Sequence, residues 1–303
     1  MKFPVPAFML AFALALSACA SAPVAPVQTV DPASADPALW VVKDEDTSIY
    51  LFGTVHVLKP GTVWFDDEIG EAFDKSDKLV TEIIEPEAGS MTAKVASLAI
   101  DLDGPPLSEK LDADAKAKYL AAMTTVGIPY QALERYKPWM VGITLAIAPL
   151  GKLGYDAELG ADKVLNAAAK AAGKSIGALE TPEQQLGFFN GLPEDQQIAF
   201  LNATVDGLPD VDKDFGELVN DWSAGNPEGL ADKMNESLEA TPELAETLLF
   251  QRNQNWAGQI KTMLDTPGTI FIAVGAGHLA GEKSVQDYLK ALGIQATRVP
   301  HHE

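Results

Sequence analysis

Only four histidines occur in the 303-residue chain, and two of them, His301 and His302, lie within its last three positions. The two interior histidines share a pattern. His56 closes Gly53-Thr54-Val55-His56 and His278 closes Gly275-Ala276-Gly277-His278, and each motif ends an apolar run of strand length, Ile49 to Val57 and Thr269 to His278. In open α/β sheets, ligands bind in the crevice beyond the carboxyl ends of the strands. A glycine there lets the backbone turn sharply or approach a ligand, and leaves the histidine to face the crevice. One such motif would more often mark a structural histidine. Two copies that use every interior histidine predict a single site shared by His56 and His278.

Two charged residues add to this pair. Glu82 falls within an apolar stretch, Lys78 to Ile84, that reads as a strand, where it is either a solvent-facing position or part of the same site. Arg252 is more anomalous. Stepping by four from Leu244 gives Leu248, Arg252, Trp256 and Ile260, one face of a helix, so the guanidinium should point inward. A buried guanidinium costs several kcal/mol unless a carboxylate or a ligand anion lies beside it. Glu82 and Glu180 are the candidate partners, in a purely structural ion pair or at the floor of a pocket.

The elements that must position these residues follow from patterning. Leu39 to Val42 and Ile49 to Val55 read as paired strands across the polar turn Lys43 to Thr47. A helix follows from Asp66 to Lys75, with Ile69, Ala72 and Phe73 on one face. The middle of the chain, from about Met91 to Leu264, is mainly helical. Asp112 caps a helix reaching Thr125, and the apolar Trp139 to Leu150 suits a buried helix, too short for a membrane span. Ala157 to Ala172 reads as one helix closed by Gly173. Ser175 to Leu179 then returns to the sheet with Glu180 at its end. Thr181-Pro182-Glu183-Gln184 restarts a helix through a capping box, and Thr241-Pro242 opens the longest helix, running to about Leu264. A helix from Ser284 to Leu292 and a strand at Ala296 to Val299 complete an α/β fold. The expected architecture is a central β-sheet with strand-end Gly-x-x-His loops and a large, mainly helical insertion.

Residues 1–18 read as an export signal, with Lys2 ahead of a short apolar core, Val5 to Leu16, and Leu16-Ser17-Ala18 before Cys19. Leu-Ser-Ala-Cys resembles the bacterial lipobox, so Cys19 is expected to carry lipid at a new amino terminus. Ala20, rather than aspartate, follows it, which by resemblance to Gram-negative sorting rules places the anchor at the periplasmic face of the outer membrane. Cys19 is also the only cysteine, so disulfides and thiolate zinc sites within the chain are excluded. Residues 19–38, with Pro23, Pro26, Pro32 and Pro37, read as an extended tether. Residues 39–303 then form the folded part. The net charge of −21 makes nucleic acid an improbable partner.

Three tempting motifs fail. Gly173-Lys174-Ser175-Ile176-Gly177 matches Gly-x-Ser-x-Gly, but a helix precedes and a strand follows, the reverse of a nucleophile elbow. Gly275, Gly277 and Gly281 are spaced one residue too long for a dinucleotide fingerprint, and no His-Glu-x-x-His occurs.

The blocks Tyr50 to Gly61 with Glu82, Gly177 to Thr181, Arg252 to Ala257 and Val274 to Leu279 resemble, in order, those of the TraB/GumN family, which includes the Tiki membrane-tethered metalloproteases and is distantly similar to erythromycin esterase-like folds. The Tiki resemblance implies a divalent-metal-dependent hydrolase of a peptide or amide bond in a peptide or protein substrate. His56, His278 and Glu82 would then ligate zinc, manganese or cobalt. Glu82 could instead activate the metal's water, and Arg252 would steady a carboxylate or developing oxyanion. The esterase resemblance implies instead a histidine general base without metal. A non-catalytic protein that sequesters a peptide is the alternative from another class. This chain has Glu82-Ile83-Ile84 where the family often has Glu-Leu-Asp, so a second acid at that point is missing.

Overall fold

The apolar runs form one six-stranded sheet in the structure, a computed structural model that describes residues 33–84, 86, 90–238 and 242–301. The strands in chain order are β1 (Ala33–Ser34), β2 (Leu39–Lys43), β3 (Thr47–Thr54), β4 (Thr62–Val63), β5 (Lys78–Thr81), β6 (Ser175–Ala178), β7 (Gly268–Gly275) and β8 (Thr297–Arg298). The main sheet runs β6-β5-β7-β3-β2-β8, and β1 pairs with β4 in a separate two-stranded sheet. β6, β5, β7 and β3 are mutually parallel, while β2 is antiparallel to both β3 and β8. Four carboxyl ends therefore open on one edge. The signal segment 1–18, Cys19 and most of the tether lie outside the described residues, as does His302.

Both faces of the parallel strands are apolar, as expected of a sheet covered on each side. Along β7 the residues alternate. Phe271 and Ala273 pack with Phe52, Leu79 and, from the helix Asp67–Lys75, Ile69 and Phe73. Ile272 and Val274 pack on the other face with Ile49, Leu51, Trp256 and Ile260 of the helix Gln251–Met263, and Leu289 of the helix Val285–Ala291. Each such side chain contributes about 1.5–3 kcal/mol by leaving water. A further cluster joins the helices Ala113–Val126, Pro138–Lys152 and Glu194–Gly207 through Tyr119, Met123, Val141, Leu145 and Leu201. The segment Trp139 to Leu150 lies in the second of these, and no described helix is long and apolar enough to cross a membrane.

Local chemistry sets the boundaries. Asp112 accepts from the Ala115 amide at 2.9 Å to start its helix, and Gly127, at φ 83°, ends it in the left-handed conformation. Thr181 and Gln184 form the reciprocal capping box.

Three expectations are corrected. The strand from Lys78 stops at Thr81, whose hydroxyl donates to the Ile83 carbonyl at 2.8 Å, so Glu82 lies just past the strand rather than on it. The expected helix over 157–172 divides into a 3-10 turn, Ala157–Leu159, and a helix, Ala161–Ala171, because the chain doubles back on β3: the Ala161 amide donates to the Val55 carbonyl at 2.8 Å, and Gly160 abuts the His56 carbonyl too closely for any side chain. The long helix expected after Pro242 is interrupted by a π-helical turn, Glu246–Phe250, between Pro242–Ala245 and Gln251–Met263.

Candidate functional site

Each of the four parallel strands hands one ionisable residue to the same edge: β3 leads to His56, β5 to Glu82, β6 to Glu180 and β7 to His278. Beyond β5 and β6 the backbone stays paired, with the Leu179 amide on the Thr81 carbonyl at 3.0 Å and the Glu180 amide on the Glu82 carbonyl at 2.8 Å. That pairing sets the two carboxylates side by side.

Arg252 joins them. Its Nη2 donates to Glu82 Oε2 at 2.6 Å and to Glu180 Oε2 at 2.9 Å, and its Nε donates to Glu180 Oε1 at 2.9 Å. Nη1 donates to the Leu248 carbonyl at 3.1 Å and meets His278 Nε2 at 3.2 Å. All five guanidinium hydrogens thus have protein acceptors. As placed, Arg252 holds two carboxylates and an imidazole in register and has no donor directed at an oxyanion. The rings of Trp256 and Phe188 stand 4.7 and 5.5 Å from its guanidinium carbon. Burial acts to lower the Arg252 pKa, but Glu82 and Glu180 outweigh it and hold the group charged. Burial raises the Glu180 carboxyl above its ordinary value, with Arg252 opposing and Glu82 adding to the rise.

Glu82 is held from three sides. Besides Arg252, Oε2 accepts from Gln185 Nε2 at 2.8 Å, and Oε1 accepts from the Gly275 amide at 2.7 Å. The acid from one strand end is thereby fastened to the first residue of the other strand's Gly-x-x-His motif.

His278 is fully buried, with its ring against Trp256. Its Nδ1 lies 2.5 Å from Asn253 Oδ1, and that amide is oriented by donation from Nδ2 to the Lys283 carbonyl at 2.8 Å. With an acceptor at Nδ1 and an arginine at Nε2, the ring is the neutral Nδ1–H tautomer. Burial, then the Arg252 charge, then His56 hold its pKa well below the ordinary value.

His56 differs in its surroundings. Its Nδ1 lies 3.0 Å from Asp162 Oδ1; the side chains are 14% and 26% exposed, although the His56 Nε2 atom is itself buried. A carboxylate on Nδ1 fixes the tautomer whose basic lone pair is on Nε2.

The motif glycines have a role other than the one expected. A Cβ on Gly53 would lie 2.9 Å from the Ala276 Cα, and one on Gly277 would meet the Met234 methyl at 2.5 Å. Gly53 allows the first Gly-x-x-His turn to pack directly on the second, rather than supplying a special φ or room for a ligand.

Among the described residues, no group of three or more His, Cys, Asp or Glu side chains is arranged to hold a metal ion. The expected set, His56, Glu82 and His278, does not fit one as placed. Glu82 Oε1 and His278 Nε2 lie 3.9 Å apart, yet Oε1 already accepts from the Gly275 amide and Nε2 faces Arg252 Nη1. Arg252 Nη1 would have to withdraw from His278 Nε2 before an ion could bind that nitrogen.

Sequence reasoning missed Asp162, Asn253 and Gln185. Gln184 of the capping box adjoins Gln185, but nothing in the sequence marks the latter as a carboxylate partner. Asn253 directly follows Arg252, and on a helix that puts it off the apolar stripe.

The model of the TraB/PrgY/gumN family matches residues 38–298 of the chain. Among curated proteins, the uncharacterized protein YbaP of Escherichia coli (strain K12) is 24% identical over 258 residues, covering 84% of this chain and 92% of the relative. An uncharacterized protein of Treponema pallidum (strain Nichols) is 23% identical over 274 residues, covering 83% of this chain and 79% of that one. No solved structure matches.

Proposed function

The chain belongs to the TraB/PrgY/gumN family, and on that premise we propose that its strand-end edge is the active site of a hydrolase acting on a peptide or amide bond, with His56 as general base. The observation that carries this reading is the Asp162–His56 pair beside the buried Glu82–Arg252–Glu180–His278 floor. His56 Nε2 takes a proton from water as the water oxygen bonds to the carbonyl carbon. The C–N bond then breaks as the same proton passes to the leaving nitrogen. Asp162 holds the ring and stabilises the imidazolium while it carries that proton. Arg252 and Glu82 are positioning groups, which hold His278 and the Gly275 amide at the strand ends. The donor chemistry supports this over a metal-activated water, because Arg252 already engages the His278 Nε2 lone pair and one oxygen of Glu82. The lipobox-like Leu16 to Cys19 and the proline-rich tether support a lipid-anchored protein facing the periplasm from the outer membrane.

The test is turnover of a peptide library by the purified chain after exhaustive chelation, with and without added zinc, manganese or cobalt. Turnover should survive chelation and vanish in His56→Ala. Turnover that requires added metal would replace the general-base reading with a metal site formed by displacement of Arg252. Peptide capture without turnover would leave a sequestering protein.

A further inference from the structure

Outside the strand-end edge lies a groove of about 530 Å³ between the helix Pro182–Asn190 and the π-helical turn Glu246–Phe250. That volume lies in the range of ligand sites, roughly 300–1,000 Å³. We propose that this groove binds a short peptide segment carrying a cationic side chain.

Its shape comes from sequence. Gly187 and Gly191 stand one helical turn apart on the groove side, and a Cβ at Gly187 would meet nothing within 4 Å, so the missing side chain leaves open space. Phe188, Leu192 and Pro193 supply an apolar floor, and Glu243 and Glu246, both exposed, line the opposite wall. Glu246 is shared with Lys283 at 3.7 Å, so Glu243 carries more of the attraction. No Lys or Arg occurs among the described lining residues. A chain of net charge −21 draws cations from a distance and repels acidic segments. An apolar floor beneath a carboxylate wall therefore suits the aliphatic stem and charged head of lysine or arginine.

The groove also adjoins the buried floor. Phe188 lines it while its ring stands 5.5 Å from the Arg252 guanidinium carbon. The fate of the bound segment rests on the hydrolase reading, whereas its binding does not.

The experiment is fluorescence anisotropy with a short labelled Ala/Gly peptide carrying a central Lys pair, against the same peptide with a Glu pair. The Lys peptide should bind the wild-type chain and the Glu peptide should not. Gly187→Leu fills the open space and should weaken binding about tenfold or more. If that variant melts lower than wild type, the Glu243→Gln, Glu246→Gln double variant, which leaves the backbone untouched, serves instead and should weaken binding several-fold. His56→Ala should bind as wild type does, so loss of hydrolysis and loss of the groove are read separately. Equal binding of both peptides, no binding of either, or wild-type affinity in a folded Gly187→Leu chain and in the double variant would overturn the proposal.

Discussion

Arg252 Nη1 stands 3.2 Å from His278 Nε2, and because a guanidinium can only donate, the imidazole must offer a lone pair there. Protonating His278 would set two cations in contact inside the protein. Its folded pKa is therefore held well below the ordinary 6.5, while the unfolded chain takes up a proton near that value. The unfolded state binds more protons, so stability rises with pH across this window and is lost as pH falls below about 6.5. The slope from this one group is about 1.4 kcal/mol per pH unit. Glu180 acts in the opposite sense: its raised folded pKa gives stability that is greatest below its ordinary 4.5 and is lost as pH rises through the folded value. Chemical denaturation of wild type and His278→Gln at pH 7.5 and pH 5.5 isolates the histidine. Wild type should lose the more stability on acidification, and parallel losses would contradict the assignment.

Arg252→Ala should destabilise the chain by about 3–5 kcal/mol, because it leaves Glu82 and Glu180 buried without their cation. Replacing all three residues by apolar side chains of similar volume should cost far less than the single change. Urea melts of the two variants test this, and an Arg252→Ala midpoint equal to wild type would show the cluster to be solvated.

Asp162→Asn should separate chemistry from stability. The side chain is partly exposed, so its ion pair with His56 contributes about 1 kcal/mol or less to folding. His56 would keep its ring but lose the carboxylate that holds it and stabilises the imidazolium, so kcat should fall by on the order of 10²–10⁴-fold with little change in melting temperature. Asn keeps the shape but not the charge, so the acid limb of the pH–rate profile should also move to lower pH. An unchanged profile would reduce Asp162 to a surface contact.

Gly53→Ala should strain the contact between the two histidine turns, since its Cβ would lie 2.9 Å from the Ala276 Cα. A cost of about 1–3 kcal/mol is expected. The nearest side-chain atom is the Ala276 methyl at 3.1 Å, so Gly53→Ala combined with Ala276→Gly should recover part of it. Additive losses in the double variant would show that the two turns do not bear on one another.

Cys19→Ala should abolish lipidation and release the chain from the membrane fraction, as Leu16-Ser17-Ala18-Cys19 implies. Mass spectrometry of the mature amino terminus checks it, and an unmodified terminus at another residue would remove the lipid anchor from the reading.

The strand ends were legible because β3 and β7 carry the apolar runs Ile49 to Phe52 and Ile270 to Val274, each followed by glycine, and because histidine is so sparse in this chain. Arg252 was legible for a similar reason: a charge in the row Leu244, Leu248, Trp256, Ile260 must find an acid, and it finds both candidates. Asp162 was not. Its partner lies 106 positions earlier, and only the return of Gly160 and Ala161 against the end of β3 brings them together. On a helix read as continuous from Ala157, residue 162 is one more polar position. The hydrogen bonds around the expected metal set were not legible either: residue types suggested three ligands, but no spacing encodes that Glu82 and His278 both accept from Arg252.

β7 is the last long strand in the chain and lies in the middle of the sheet, between β3 and β5. During synthesis, β3 and β5 emerge with the gap between them empty and their facing edges unpaired. Only when Gly268 to Gly275 emerges can the parallel core close, and contacts of such sequence separation form slowly. Until then the strand-end site cannot assemble, because His278 follows that last long strand. A chain cut short ahead of Gly268 would retain nearly all of its helices yet expose two sticky strands, making it a substrate for quality-control proteases rather than a smaller working domain.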